Sequence, residues 1–320
     1  MAFTYNSLQA LGKNYLAPRV TDNTFKGCPY GFWLKENGRL SIRGGSPINV
    51  PIIKAQLNSD WYSTGLTPAT LEVKEPFTKA EYNWKFLRVP WALDETDILK
   101  NGGQEIDLMD ATEQVATLTM IEAFSTALFG TNASASSQLD GLQNMAGATG
   151  TAYGGLTDTD FVSPATWLMN IRTLAAAGTL TAVEMRIMRG NATRGRAKPN
   201  LGLCNFPVYG KIWALAQTAQ RFGMERIAKL GFDHMMFEDM PIMPDEHSTG
   251  SGGGTQDNWL YMLNTDYIKL VIHEEQAFKS EVYHPIPQQE VKIGKIKVAC
   301  NQITSNRRMH SVVKTIDSAL

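Results

Sequence analysis

The sequence predicts an α+β fold, and three features carry this prediction. The clearest helical pattern covers residues 104–129, with apolar positions recurring every three or four residues. Strand-like runs precede this helix, and several short strands follow it in the C-terminal third. Further helices with recognisable capping residues alternate with a strand between residues 163 and 220. The 320 residues are enough for one large or two medium hydrophobic cores.

The charged fraction of the chain is low. Asp, Glu, Lys and Arg make up 19% of the residues, against about 25% in ordinary soluble domains. A large protein with few charges is either poorly soluble or covers much of its surface with a partner. The net charge of −1 gives no argument for nucleic acid, an anionic membrane or an acidic substrate.

Signals for crosslinking and targeting are missing from the sequence. Cys28, Cys204 and Cys300 lie far apart, which excludes a disulfide framework and a zinc pair with two-residue spacing. The first residues lack a basic start followed by an apolar run, and no stretch reaches the ~18 apolar residues of a membrane span. We therefore predict neither export by a signal peptide nor insertion into a membrane.

Residues 1–46 are predicted to form an extended arm. Their apolar side chains follow no sustained helical or strand period and are interrupted by Gly and Pro. Such a segment cannot build its own core, so its aromatic residues need cover from the body of the protein or from a neighbouring copy. Phe25, Phe32 and Trp33 are the candidate contact residues. On this basis, deletion of residues 1–40 should leave the body folded while weakening assembly.

A long hairpin is predicted over residues 48–89. Two strand-like runs, 48–62 and 77–89, flank turn-forming residues at 63–68. In the second run Tyr82, Trp84, Phe86 and Arg88 should share one face. Because an isolated hairpin is marginally stable in water, it should project from a body or lie across a partner.

The end of this hairpin holds two further candidate contact residues, Trp61 and Tyr62. Their joint replacement by alanine should leave the subunit folded and impair the growth of an assembly.

The helix predicted at 104–129 would be roughly 40 Å long. Acidic residues fill its first turns, where the helix dipole favours them, and residues 94–122 are strongly net negative. Both ends of the chain, 1–46 and 291–320, are net positive. These regions of opposite charge are complementary, and the sequence leaves open whether they meet within one subunit or between subunits.

The rest of the chain is predicted as short elements. Three helices are expected at 163–178, from Thr181 with a capping box to Glu184, and at about 207–220. Short strands are expected at 201–204, 235–243, 259–263, 268–273, 291–299 and 308–315. Residues 250–254 are a glycine-rich loop.

We find no motif that indicates catalysis. The 250–254 loop lacks the Lys-Ser/Thr ending of a phosphate loop, and no nucleophile elbow or zinc-protease motif occurs. No histidine pair has helical spacing for a metal, and the turn at Asp245, Glu246 and His247 should be solvated. We predict no catalytic, cofactor-binding or metal-ligating residue, no cofactor, and no enzymatic activity.

Two residue clusters allow more than one interpretation. The basic stretch of Arg186, Arg189, Arg194, Arg196 and Lys198 is either a phosphate contact or, as we favour, a solvated helix end or subunit contact. The four methionines 235, 236, 240 and 243 fit strand core better than a binding groove.

The order of these elements, over essentially the whole chain, resembles the major capsid protein of tailed double-stranded-DNA bacteriophages. Particular stretches strengthen the resemblance. Residues 82–90 (YNWKFLRVP) look like the strand leading into that family's spine helix, and 128–130 followed by 139–142 looks like its exit. Residues 237–242 and 261–270 resemble the later strands.

The resemblance implies the Hong Kong 97-type capsid fold. It divides the chain into an N-terminal arm (1–46), an extended E-loop (47–90), a P-domain (91–145 and 266–320, with the spine helix at about 104–129) and an α/β A-domain (146–265). Copies would form pentamers and hexamers of an icosahedral head around double-stranded DNA, held without sequence specificity. Separate scaffolding, portal and decoration proteins would be partners. The protein would be located in the virion and assembled in the host bacterial cytoplasm.

Two alternatives remain open at this point. An encapsulin-like shell would use the same fold to enclose a cargo enzyme, and no feature of the sequence separates it from a phage head. A soluble α/β enzyme with the 250–254 loop as a lid belongs to a different class, and its small oligomers would separate from a shell protein on size exclusion.

Overall fold

The computed structural model describes residues 27–45, 47–61, 65, 68, 73–102, 108–130, 137–219, 235–248, 258–285 and 290–317. Within these ranges, the helices are α1 (Pro29–Asn37), α2 (Glu95–Lys100), α3 (Leu108–Phe129), α4 (Leu142–Met145), α5 (Ala182–Ala192) and α6 (Phe206–Ala219). The strands are β1 (Arg39–Ile42), β2 (Ile48–Ile53), β3 (Phe77–Tyr82), β4 (Lys85–Asp94), β5 (Asn170–Gly178), β6 (Leu201–Cys204), β7 (Met235–Phe237), β8 (Met240–Pro244), β9 (Asn258–Leu263), β10 (Ile268–His273), β11 (Lys279–Pro285), β12 (Val291–Thr304) and β13 (Ser311–Ile316).

The long strand β12 organises a five-stranded sheet. It pairs antiparallel with β4 over ten positions, from Val291 opposite Asp94 to Cys300 opposite Lys85. Along its length it also pairs antiparallel with β11 and then with β10, which pairs parallel with β1. β12 is five residues longer than the sequence indicated, and β11 was not predicted.

Helix α3 packs against β4 and β12 and confirms the predicted long helix over its described part. Its buried residues Ala116, Met120, Phe124 and Leu128 join Trp91 and Ile296 in the larger hydrophobic core. At ~1.5 Å per residue, the 22 residues of α3 form a rod of about 33 Å. The preceding helix α2, which was not predicted, begins after Asp94, whose carboxylate accepts the backbone N–H of Thr96 at 2.9 Å.

A six-stranded sheet holds the smaller core. Its strand order is β5-β13-β9-β6-β8-β7, and α5 and α6 contribute Met185, Met188, Val208 and Ile212 to that core. Strands 201–204 and 268–273 have the predicted bounds. Thr181 caps α5 by accepting the N–H of Glu184 at 3.2 Å, while the Glu184 carboxylate pairs with Arg172.

The predicted helix at 163–178 is wrong. Residues 170–178 form strand β5, which pairs parallel with β13. The Ser-Pro pair that looked like a helix start lies in a turn, where Ala165 donates its N–H to the Val162 carbonyl at 2.9 Å. The alternating β-branched residues Ile171 and Thr173 then pair with β13, so tertiary pairing overrides the helical preference of the following alanines.

The predicted strand at 235–243 is a tight hairpin. β7 and β8 pair antiparallel around Glu238 and Asp239, which both have positive φ, 46° and 67°. This is the backbone of a type I′ turn, and it was missed because the usual Asn-Gly signal is absent. Methionines 235, 240 and 243 are buried, as a core position requires, and Met236 is half-buried.

The expectation of an extended arm is wrong for residues 29–42. They form α1 and β1, and Tyr30 and Leu34 are completely buried in the larger core. Pro29 starts the helix and the Cys28 sulfur accepts the N–H of Gly31 at 3.2 Å, which together supply a start signal. A deletion through residue 40 would remove these core residues and is not a clean test of assembly.

The hairpin is shorter than predicted. β2 pairs with β3 from Ile48 opposite Tyr82 to Ile53 opposite Phe77. Strand β3 ends at Tyr82. After the two non-strand residues 83 and 84, β4 begins at Lys85 and pairs with β12 in the five-stranded sheet. Tyr82 is therefore buried whereas Phe86 is 70% exposed, so these two side chains do not share a face. None of the described helices is long and apolar enough to cross a membrane.

Candidate assembly surface

The base of the β2–β3 hairpin is anchored in the larger core. Ile48, Ala80 and Tyr82 are buried there. The Tyr82 hydroxyl donates to the Thr304 carbonyl at 3.0 Å, and its ring meets that of Tyr153 edge-on with centroids 5.6 Å apart. Burial raises the pKa of Tyr82, so this residue stays a neutral hydrogen-bond donor.

Backbone hydrogen bonds tie the hairpin to the segment 153–162. Glu81 donates its N–H to the Gly154 carbonyl at 2.8 Å, and Val162 donates to the Lys54 carbonyl at 3.1 Å. Gly154 has φ of +61°, and a Cβ placed on it would lie 2.8 Å from the Tyr82 ring. Only glycine fits this position, because it combines a left-handed backbone with a close approach to an aromatic ring.

We expect Gly154→Ala to destabilise the subunit by about 2 kcal/mol, since overpacking against Tyr82 adds to backbone strain. Gly155→Ala is the matched control, because Gly155 also has positive φ but faces open space. The free energy of unfolding in urea measures both variants. Equal losses in the two variants would show that the contact with Tyr82 contributes nothing.

In the part of the chain that the structure describes, nothing covers the large apolar side chains at the distal part of the hairpin. At its outer end the paired residues Ile53 and Phe77 are 63% and 71% exposed. Beyond that pair the larger apolar side chains Leu57, Trp61 and Val73 are exposed as well, whereas the small side chain of Ala55 is buried. Several large exposed apolar residues within one segment of the chain indicate a protein–protein contact. We call Ile53, Leu57, Trp61, Val73 and Phe77 the hairpin patch.

The five sequence-predicted contact residues do not have the same environment. Trp61 is completely exposed and lies in the hairpin patch, and Phe32 on α1 is 45% exposed. Trp33 is partly buried against the larger core. Phe25 and Tyr62 lie outside the described residues. A role of these residues between subunits stays a prediction.

The other members of the hairpin patch could not be recognised from the sequence. Leu57 and Val73 lie within the predicted hairpin segment, but their residue types alone do not show whether they are buried or exposed.

Phe32 borders an apolar pocket of about 190 Å³ whose walls include Ile121, Phe124 and Phe278. This pocket lies between α1 and α3.

Basic residues of the C-terminal strands have partners inside the chain. Lys297 and Lys295 lie 2.9 and 3.1 Å from the Glu281 carboxylate, and their hydrogen bonds lower the pKa of Glu281 to about 2. Lys292 contacts Glu95 at 3.6 Å, which joins the basic C-terminal region to the acidic region within one subunit. The complementary regions predicted from the sequence thus meet at this point inside the subunit.

The basic stretch at 186–198 is partly neutralised by the β7–β8 turn. Arg186 and Arg189 both pair with Glu238, at 2.5 and 3.1 Å, and Lys198 pairs with Asp239 at 3.2 Å. Arg189 is buried, so the expectation of a solvated helix end is wrong for that residue, and a subunit contact of the remaining basic residues stays a prediction.

Comparison with solved structures identifies the fold. The cyanophage A-1(L) capsid protein matches with a TM-score of 0.72 and 15% identity, over 98% of this chain and 99% of that chain. The holo-SrpI encapsulin of Synechococcus elongatus matches with a TM-score of 0.64 and 8% identity, over 100% and 98%. The capsid of the native GTA particle matches with a TM-score of 0.61 and 12% identity, over 98% and 100%.

No protein-family model matches the sequence, and no curated protein matches it significantly. The structural matches span essentially the whole of each chain, so they cover the hairpin, the long helix and both sheets together. They include phage capsids and an encapsulin shell. The chain therefore has the Hong Kong 97-type capsid fold.

Proposed function

We propose that this protein is a structural major capsid protein, which assembles into pentamers and hexamers of an icosahedral phage head enclosing double-stranded DNA. One observation carries the proposal. The hairpin has a buried base, which fixes its direction, and an exposed apolar distal part, which a monomer leaves in water. A neighbouring subunit in a shell supplies the missing cover.

The proposal assigns a role to each part of the fold. The hairpin corresponds to the E-loop at 47–90, and α3 is the spine helix of a P-domain that also holds β10–β13. Residues 146–265 form the A-domain, and the N-terminal arm at 1–46 includes α1 and β1. Scaffolding, portal and decoration proteins are proposed as separate partners, the virion as the location, and the host cytoplasm as the place of assembly.

Sedimentation of the purified, untagged chain tests whether it forms shells. We expect capsomers or megadalton particles whose proportion rises with protein concentration. A species that stays monomeric or a small closed oligomer at every concentration, and in the presence of extract from producing cells, would contradict the proposal and favour a soluble enzyme.

An encapsulin-like shell around a cargo enzyme is the second candidate function. The full-length structural match to the holo-SrpI encapsulin supports this candidate. The two candidates differ in what the particles contain. Particles from the native source, treated with nuclease and then opened, should release double-stranded DNA if the shell is a phage head. Release of a second protein without protected DNA would support the encapsulin candidate instead.

A further inference from the structure

Three buried side chains lie together beside α1. Cys28, Asp245 and His247 each offer one ligand atom, and these atoms lie within 4.8 Å of one another. All three residues are buried, Asp245 completely. The solvated turn expected around Asp245 is therefore wrong for Asp245 and His247. We propose that these three residues form a Zn²⁺ site.

The backbone holds the thiol and the carboxylate in fixed positions. Cys28 precedes the first residue of α1, and its Sγ accepts the N–H of Gly31 at 3.2 Å. Asp245 bridges the two segments, because its Oδ2 accepts the N–H of Tyr30 at 3.2 Å and its own N–H donates to the Cys204 carbonyl at 2.7 Å. A site built on rigid backbone needs little rearrangement to bind an ion.

A fourth side chain orients the imidazole. Nε2 of His247 lies 3.0 Å from Oε2 of Glu122 on α3, and Nδ1 lies 3.2 Å from Oδ1 of Asp245. A carboxylate on the far nitrogen of a ligating histidine is the usual outer partner in zinc sites, where it fixes the ring and its tautomer. Glu122 thus takes the role of a positioning residue, with Nδ1 left for the metal.

The charge and the chemistry of the three groups suit zinc. A thiolate, a carboxylate and a neutral imidazole carry two negative charges in a buried place, which a divalent cation balances. Sulfur and imidazole ligands favour Zn²⁺ over Mg²⁺ or Ca²⁺. Three protein ligands leave the fourth tetrahedral position for water.

A proton is the competing cation at this place. Burial lowers the pKa of His247, but hydrogen bonds to Asp245, Cys28 and Glu122 outweigh burial and raise the pKa to about 10. A protonated His247 would form an ion triad with Asp245 and Glu122. The experiment below separates this state from a zinc site.

The proposed ion would join three distant parts of the chain. Cys28 precedes α1, Asp245 and His247 follow β8, and Glu122 lies in α3. Because the ion binds the folded arrangement, zinc should stabilise the subunit. The proposal does not depend on shell formation, since every ligand belongs to one subunit.

Zinc content and affinity of the untagged full chain test the proposal. After removal of metal by a chelator, we expect one Zn²⁺ to bind per chain and to raise the melting temperature. Glu122→Gln should weaken binding by about 10- to 100-fold, and Cys28→Ser should weaken it further. Serine keeps a capping oxygen for Gly31, so the Cys28→Ser subunit should still fold.

Two controls make the outcome decisive. Cys300→Ala removes another buried thiol and should leave zinc affinity unchanged. Co²⁺ in place of zinc should give a thiolate-to-metal charge-transfer absorption that Cys28→Ser lacks. The proposal is overturned if the wild-type chain binds no zinc, if Cys28→Ser binds as tightly as wild type, or if the Co²⁺ complex lacks the thiolate absorption. The ion triad would be the alternative.

Discussion

Arg307→Ala is expected to destabilise the subunit by about 4 kcal/mol, because it removes the donor of one buried and two partly buried carbonyl groups and opens a cavity. Arg307 is completely buried. Its guanidinium donates to the carbonyls of Met145, Gly147 and Thr151 at 2.6, 3.1 and 3.3 Å. It also lies 5.6 Å from the centroid of the Tyr153 ring. Urea unfolding of the dissociated subunit measures the loss.

Two matched variants separate the geometry of Arg307 from its charge. Arg307→Lys keeps the charge without the planar fork, so we expect an intermediate loss of about 2 kcal/mol. Arg308→Ala removes the neighbouring arginine, whose hydrogen bond to the Pro164 carbonyl is exposed, and should change stability by less than ~0.5 kcal/mol. If Arg307→Ala and Arg308→Ala were equally stable, the three carbonyl bonds would not hold this region together.

Trp61→Ala is expected to reduce particle yield by tenfold or more while leaving the subunit folded. Trp61 is completely exposed in the subunit, so its removal should change the free energy of unfolding by less than ~0.5 kcal/mol. In an interface, a buried tryptophan commonly contributes about 2 kcal/mol or more, and each ~1.4 kcal/mol changes an association constant tenfold. Sedimentation of matched samples measures the yield.

Trp61→Phe is the control for this experiment, since it keeps a large aromatic side chain at the same place on the hairpin. We expect it to assemble at close to the wild-type yield. Wild-type particle yield from Trp61→Ala, with the subunit's melting temperature unchanged, would remove Trp61 from the interface and weaken the role assigned to the hairpin patch.

Elements with strong local patterns could be predicted from the sequence. The long helix has a sustained apolar period and α3 follows it from Leu108 to Phe129. The continuous apolar run at 201–204 became the fully buried strand β6. In these segments local preference and tertiary packing agree.

Other elements depend on partners far away in the sequence. β5 is a strand because β13 pairs with it, and its alanines and Ser-Pro start gave the opposite local signal. Strands β3 and β4 looked like one continuous strand in the sequence. They are separate because β3 pairs with β2 and β4 pairs with β12, with residues 83 and 84 between them. A single sequence does not contain these pairings.

The candidate sites also differ in whether local sequence or distant contacts define them. Trp61 was predicted because a large aromatic residue near a hairpin turn is conspicuous. The proposed zinc site was not, because the fold joins its two segments across a long separation: Tyr30, beside Cys28, and Asp245 are 215 residues apart. None of its residues has a local metal-binding spacing.

Cryo-electron microscopy of the assembled protein would show whether it forms a shell and where the hairpin patch lies. We expect an icosahedral shell of pentamers and hexamers in which the hairpin patch lies against a neighbouring subunit and Trp61 is buried. A small closed oligomer, or a shell in which residues 53–77 remain in solvent, would contradict it.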